Sequence, residues 1–221
     1  MNAPRTRVQR RPVHGLLLLD KPLGMSSNNA LQKAKYLLRA EKAGHTGTLD
    51  PLATGVLPLC FGAATKFSQL QLDADKTYEA VARLGIKTST GDAEGEPIAI
   101  RPVDVTAASL SALVKQFTGA LRQIPPMYSA LKKDGRALYE YARAGIELDR
   151  EARDITVYSL SLALRQDEAG FAIALGVACS KGTYIRTLGE DIAIALGTCG
   201  HLSALRRIQT GPFTEAECLS I

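Results

Sequence analysis

The chain reads as an α+β protein with antiparallel pairing dominant. Helix-like and strand-like stretches are mixed without the regular strand–helix–strand alternation of a parallel sheet. Two late strands, at 155–165 and 171–179, are separated only by a turn around Glu168-Ala169-Gly170, as in a hairpin. With 221 residues and 46% hydrophobic content, the chain can fill a sizeable core in one large domain or two intimate halves. No repeat of fixed period and no low-complexity segment interrupts it.

The elements follow in order. Residues 1–13 carry Arg5, Arg7, Arg10 and Arg11 with little to bury, and read as a disordered basic arm. Residues 15–20 form a buried strand, continuously apolar over 16–19. Residues 21–27 turn the chain. Ser26 or Ser27 then caps a helix reaching about Arg39, with Ala30, Ala34, Leu37 and Leu38 on one face. After a loop at 44–55, the apolar run 56–61 is a strand and 63–72 a helix. Residues 76–84 alternate as a strand, and 88–97 form a polar loop with an architectural role. Thr106 caps a helix to about Phe117. A strand at 119–124 is interrupted by Pro125-Pro126, resumes over 127–132 and ends in the turn Lys133-Asp134-Gly135. Residues 136–144 are a helix stopped at Gly145. The hairpin comes next, then Lys181-Gly182-Thr183-Tyr184-Ile185-Arg186 leading into a helix to about Leu196. A last strand, 201–209, contains Leu205, Arg206 and Arg207.

The stretch around which the rest is organised is 44–55, Gly44-His45-Thr46-Gly47-Thr48-Leu49-Asp50-Pro51-Leu52-Ala53-Thr54-Gly55. Neither a helix period nor strand alternation fits it, and its glycines and proline make it a structured loop. An acid on a rigid loop beside a buried strand suits chemistry. Taken alone, the loop also reads as an Asp-Pro turn whose carboxylate caps backbone N–H groups.

The gap-free run GHTGTLDPLATGVL resembles the catalytic loop of the TruB family, the tRNA pseudouridine synthases that modify uridine at position 55. The turn KPLGMSS, the strand KTYEAVARL, the loop bearing Thr88, Thr90, Asp92 and Gly95, the segment IPPMYSALKKDGRALYEYARAG and the run GTYIR resemble the family too, in the expected order. The resemblance covers most of residues 14–212. One small departure is Ser26, where many members have Thr.

The resemblance implies a mixed, largely antiparallel sheet built from two α+β halves, with flanking helices and a central active-site cleft. It implies that Asp50 is the essential catalytic residue and that the Arg186 guanidinium keeps it ionised. Tyr78 lies against the target base and helps take its C5 proton. His45 fills the space left by the flipped base, and Tyr184 and Leu205 contact the flipped uracil. Lys21, in the turn beneath the catalytic loop, is grouped with the substrate-binding residues and has a structural part there. Arg206 and Arg207 are candidate phosphate holders. The domain expectation is a catalytic domain over 14–212, with 213–221 beginning a connection to the PUA-type domain that family members carry and this sequence lacks.

Composition agrees with an RNA partner. The formal charge is +5 and the isoelectric point about 9.1, which suits a polyanion. Cys60, Cys179, Cys199 and Cys218 form no CxxC pair and read as reduced thiols of a cytoplasmic protein. No apolar run approaches the ~18 residues of a membrane span, and no signal peptide is present. His14, His45 and His201 have no neighbours at metal-ligand spacing, and P-loop, GxSxG and GxGxxG patterns are missing. The expected partner is tRNA, through its T-arm stem-loop, with no metal, no membrane and a monomeric protein. Isomerising uridine is redox-neutral and adds no group, so no cofactor is expected. The alternative is a non-catalytic RNA-binding or tRNA-folding module. Against it stands the joint presence of Asp50, Tyr78 and Arg186, which a pure binder does not need.

Overall fold

The computed structural model describes residues 9–221. They form two compact units: residues 9–73 together with Pro212–Ile221, and Ala74–Gly211. Both are α+β, and the strand ladders within each are antiparallel.

The first unit contains β1 (Gly15–Lys21), α1 (Ser27–Leu37), β2 (Ala43–His45) and β3 (Ala53–Phe61). A 3-10 turn (Gly62–Phe67) and the short α2 (Ser68–Leu72) follow, where the sequence suggested one helix. β1 pairs with β3 from Gly15 opposite Phe61 to Lys21 opposite Gly55. β2 takes the other edge of β3, with His45 opposite Leu59. Val56, Leu57, Leu59, Cys60 and Phe61 are all buried. Burial on both faces explains an apolar run without alternation. Each such leucine or phenylalanine contributes about 1.5–3 kcal/mol.

Ser26 caps α1 by accepting the Asn29 N–H. The helix buries Ser27, Ala30, Leu31 and Ala34, whereas Leu37, expected on that face, is exposed. The helix ends there, before a further turn could carry the stripe onward. Arg39 leaves it at φ 53, in the left-handed region. The Arg39 N–H reaches the Tyr36 carbonyl and the Ala40 N–H the Lys35 carbonyl, the two bonds of a Schellman motif. Glycine usually fills this place, since an L side chain there costs roughly 1–2 kcal/mol.

Part of the basic arm is ordered, contrary to expectation. Arg11 donates its N–H to Arg39, accepts from the Glu41 N–H, and reaches the Leu38 carbonyl through Nε at 3.0 Å. Residues 1–8 of that arm lie outside the described residues. At the other end of the chain, Leu219 donates to Leu18 and accepts from the Asp20 N–H, so the last residues dock on β1.

The second unit runs through β4 (Lys76–Leu84), β5 (Ile86–Thr88), β6 (Pro97–Ile100), α3 (Ala107–Gln116), β7 (Gly119–Gln123), β8 (Lys132–Lys133), β9 (Arg136–Ala137), α4 (Leu138–Arg143), β10 (Arg153–Asp167), β11 (Gly170–Cys179), α5 (Ile185–Ala195) and β12 (Gly200–Thr210). Its sheet has the order β12-β4-β11-β10-β7. Thr106 and Ser109 form a capping box on α3. The β10–β11 hairpin turns at Asp167, whose carboxylate accepts the Ala169 N–H. α5 lies close against the sheet at Gly189, where a Cβ would stand 3.1 Å from Leu202 and 3.5 Å from Ala82.

Two expectations change here. The strand over 127–132 is not formed, and only the two-residue ladder of β8 and β9 remains. Pro125 and Pro126 supply no N–H donors, and the residues after them bend instead, with Ser129 bonded to Met127. The polar loop at 88–97 is shorter than expected at both ends, because β5 and β6 pair across it.

Replacing Arg39 with glycine should raise the stability of the chain by up to about 1 kcal/mol, read as a higher urea midpoint with unchanged slope. A lower midpoint would show that the arginine side chain stabilises more than its backbone costs.

Candidate active site

In the first unit, the loop carrying Asp50 is pinned by its backbone. The Thr46 N–H and hydroxyl both reach the Pro58 carbonyl of β3. Gly47 and Gly55 turn the chain at φ 91 and 100. Asp50 opens a turn in which its carbonyl accepts the Ala53 N–H, with Pro51 at the second position. The start of α1 and the turn before it hold this loop on either side of Asp50. The Ser27 hydroxyl, 2% exposed, donates to the Leu49 carbonyl at 2.9 Å and accepts the Leu49 N–H at 2.7 Å. The Gly24 N–H donates to the Pro51 carbonyl at 2.9 Å. Asp50 itself is half-buried between these ties.

Lys21 is no surface lysine. It is 0% exposed, and its ammonium donates to the carbonyls of Pro22 and Met25 at 2.8 and 2.5 Å. It therefore bears on the loop through the turn it holds together. His45 ends β2 and is half-buried.

In the second unit, Tyr78 is buried on β4. Leu205 stands opposite Ala80 and Arg207 opposite Tyr78, so all four share one face of the sheet. Tyr78 and Leu205 are diagonal neighbours, within an aromatic ring's reach. A β-bulge between Leu202 and Ala204 produces this phase. In unbroken register, Leu205 would oppose Glu79 on the other face. The Ser203 hydroxyl ties the bulge to the Val81 carbonyl. Arg207 is 1% exposed, so its guanidinium is turned into protein; Arg206 is half-buried.

Tyr184 caps α5 without a side-chain cap of its own. The buried Gln123 of β7 holds its backbone instead. Its Oε1 accepts the Tyr184 N–H at 2.8 Å and its Nε2 donates to the Tyr184 carbonyl at 3.1 Å. Arg186, in the first turn of α5, is buried. It donates to the carbonyls of Thr90 and Tyr128 at 2.8 and 2.5 Å, with its Nε 3.7 Å from the Asp92 carboxylate. Asp92 is held in turn by the Thr90 hydroxyl and the Glu94 N–H. Arg186 thus fastens the 88–97 loop and the segment after the double proline to α5.

Burial pushes the Glu190 carboxyl up, against the pull of Lys87, whose Nζ is 3.8 Å away. Burial likewise raises Asp191 and pushes the Cys179 thiol up to about 11. Among the described residues, no three His, Cys, Asp or Glu side chains cluster to hold a metal ion.

Lys21, His45 and Asp50 therefore belong to the first unit, and Tyr78, Tyr184, Arg186 and Leu205 to the second. The sequence did not single out Ser27, Gln123, Thr90 or Tyr128 for these ties. Ser27 was legible only as one of two capping choices, and Asp92 only as part of an architectural loop.

The chain as a whole is similar to known proteins. The crystal structure of a Cbf5-Nop10-Gar1 complex matches with a TM-score of 0.72 and 30% identity, over 98% of this chain and 59% of the other. An H/ACA RNP bound to a substrate RNA containing 2'-deoxyuridine matches at 0.68 and 31%, over 94% of this chain and 51% of the other. The chain shares its fold with these structures. The TruB family pseudouridylate synthase N-terminal domain matches residues 35–185, and a tRNA pseudouridylate synthase B C-terminal domain matches residues 186–221. The chain belongs to the TruB family. The tRNA pseudouridine synthase B of Verminephrobacter eiseniae (strain EF01-2) is 66% identical over 99% of this chain and 67% of its own length. That of Ralstonia pickettii (strain 12J) is 65% identical over 93% of this chain and 65% of its own. The chain thus spans about two thirds of the length of these relatives.

Two outcomes are expected. Ser27→Ala leaves the buried Leu49 N–H and carbonyl without the hydroxyl, at a cost of about 1–3 kcal/mol. Urea unfolding checks this, and Ser27→Thr, which keeps the hydroxyl, should lose less. Glu190 titrates higher in the fold than in the unfolded chain. Its contribution is therefore fully favourable below the unfolded carboxylate pKa and is lost as pH rises through the folded one. Glu190→Gln should accordingly gain melting temperature over the parent as pH rises from 4 to 7, and a constant difference would contradict the burial effect.

Proposed function

We propose that this chain isomerises uridine to pseudouridine in tRNA, at position 55 of the T-arm, with Asp50 as the essential residue. The observation that carries this reading is the Asp50 loop, half-buried and tied by backbone hydrogen bonds on both sides, in a chain of the TruB family. Relatives bearing the name tRNA pseudouridine synthase B support the substrate class.

The reaction breaks the bond from N1 to C1′, turns the uracil, and joins C5 to C1′. The C5 proton leaves and N1 gains one, so composition is unchanged. A uridine stacked within the tRNA elbow must first be flipped out, at a cost of a few kcal/mol. Asp50, ionised, attacks C1′ or takes the C2′ proton. The face bearing Tyr78 and Leu205 gives the uracil an apolar seat, and Tyr78 offers a phenol near the C5 proton. Tyr184, held by Gln123, contacts the base from the start of α5. His45 fills the vacated stack. The resemblance gives Arg186 the task of keeping Asp50 ionised, which its permanent charge suits.

Asp50→Asn keeps the shape of the side chain and removes its charge. Pseudouridine formation on an unmodified tRNA transcript should fall by at least a hundredfold, while RNA affinity stays within about threefold. Retention of more than about a hundredth of the parent rate would overturn the assignment.

A further inference from the structure

A groove of about 1000 Å³ opens at the C-terminal end of α1, away from every residue assigned above. Gln32, Lys35 and Tyr36, at the 3- and 4-residue steps of α1, line one wall together with Arg39, just past the helix end. Gln9 and Arg10 form the other wall, lashed to the helix end by the three hydrogen bonds of Arg11. Three cations thus face one acid, Glu41. Tyr36 is 68% exposed in their midst. One of the cations, Arg39, occupies the left-handed position that glycine would take without strain. Its guanidinium stands on the groove's rim at the expense of stability.

We propose that this groove is a second RNA-binding surface, which holds a single-stranded stretch of the tRNA substrate. Phosphates lie against Arg10, Lys35 and Arg39, and an unstacked base lies on the Tyr36 ring. This rests on the reading of the chain as a tRNA-modifying enzyme. The groove's helical residues run from the fifth to the ninth beyond Ser27, which holds the Asp50 loop. At 1.5 Å per residue, they lie roughly 8–14 Å along the helix from that tie. The groove therefore meets nucleotides other than the one that is flipped. An acidic protein segment would use the cations but not an exposed ring between them, so RNA is the better fit.

The test compares Lys35→Gln/Arg39→Gln, Tyr36→Ala and Arg39→Gly with the parent chain. Lys115→Gln, on the exposed side of α3, controls for net charge. Binding of unmodified tRNA transcript is measured across a salt series, and single-turnover pseudouridine formation at saturating RNA. The double variant should bind about tenfold more weakly at low salt, with log K against log salt shallower by about 1.4 for two lost single-strand phosphate contacts. Tyr36→Ala should lose about tenfold with the slope kept. Lys115→Gln should match the parent, and turnover at saturation should stay within about twofold in all variants. Arg39→Gly is the sharpest arm, since it should melt higher than the parent and yet bind RNA less tightly. A role confined to folding cannot give that combination. Parent-like affinity and slope in the double variant and in Tyr36→Ala would overturn the proposal, as an acidic-protein site would also leave both unchanged. If the parent forms no pseudouridine but the groove variants still lose tRNA, the activity assignment fails and the groove stands.

Discussion

The pair of hydrogen bonds between the Ser27 hydroxyl and the Leu49 backbone is the constraint on which the Asp50 loop depends. A loop of glycines and threonines has no ladder to fix it, and its polar backbone would otherwise require water. One buried hydroxyl answers both groups of the residue preceding Asp50. The Gly24 N–H answers the residue that follows. The carboxylate is thereby carried on a segment tied on both sides without being part of a strand. The second unit uses the same device with a longer side chain, since Gln123 matches both backbone groups of Tyr184. Each tie runs from a regular element to the irregular segment that bears a site residue.

Much of the fold was legible because it follows from period and capping. The apolar run of β3, the alternation of β4, the Thr106 cap and the β10–β11 hairpin are local patterns, and the structure realises them. What escaped is non-local. Gln123 and Tyr184 are 61 residues apart, and nothing in either neighbourhood announces their bonding. Leu37 has the spacing of a core residue but sits where the helix stops and no partner covers it. The strand after the double proline had the right residue types, but Pro125 and Pro126 offer no N–H and the chain bends at Met127 to Ser129. The site was legible in residue type more than in geometry. Asp50 stood out by its loop, and the other site residues by resemblance, whereas their ties appear only when the chain is folded.

Charge is spent unevenly in this molecule. Lys21, Arg186 and Arg207 are buried, a placement that demands compensating partners. Lys21 and Arg186 find them largely in backbone carbonyls of turns and loops. Such cations work as internal staples for segments that lack regular hydrogen bonding. The Arg83–Asp167 pair beside the β10–β11 turn is exposed and adds little by comparison. The cations at the end of α1, by contrast, line an open groove.

β12 opposes the nine residues of β4 with eleven of its own, the difference being made by two bulges. The first reverses which side of the sheet odd-numbered residues face, and the second reverses it back. Between them lies a window of four residues, 204–207, in opposite parity to the rest of the strand. Leu205, Arg206 and Arg207 all fall inside it. The strand thus joins the sheet in one phase at both ends and presents its central side chains in the other. A single residue gained between Ala204 and Leu205, with the first bulge kept, would put Leu205 opposite Glu79, on the reverse side from Tyr78, and would shift Arg206 and Arg207 with it. Side-chain identity is therefore only half of what this strand encodes; the other half is the count.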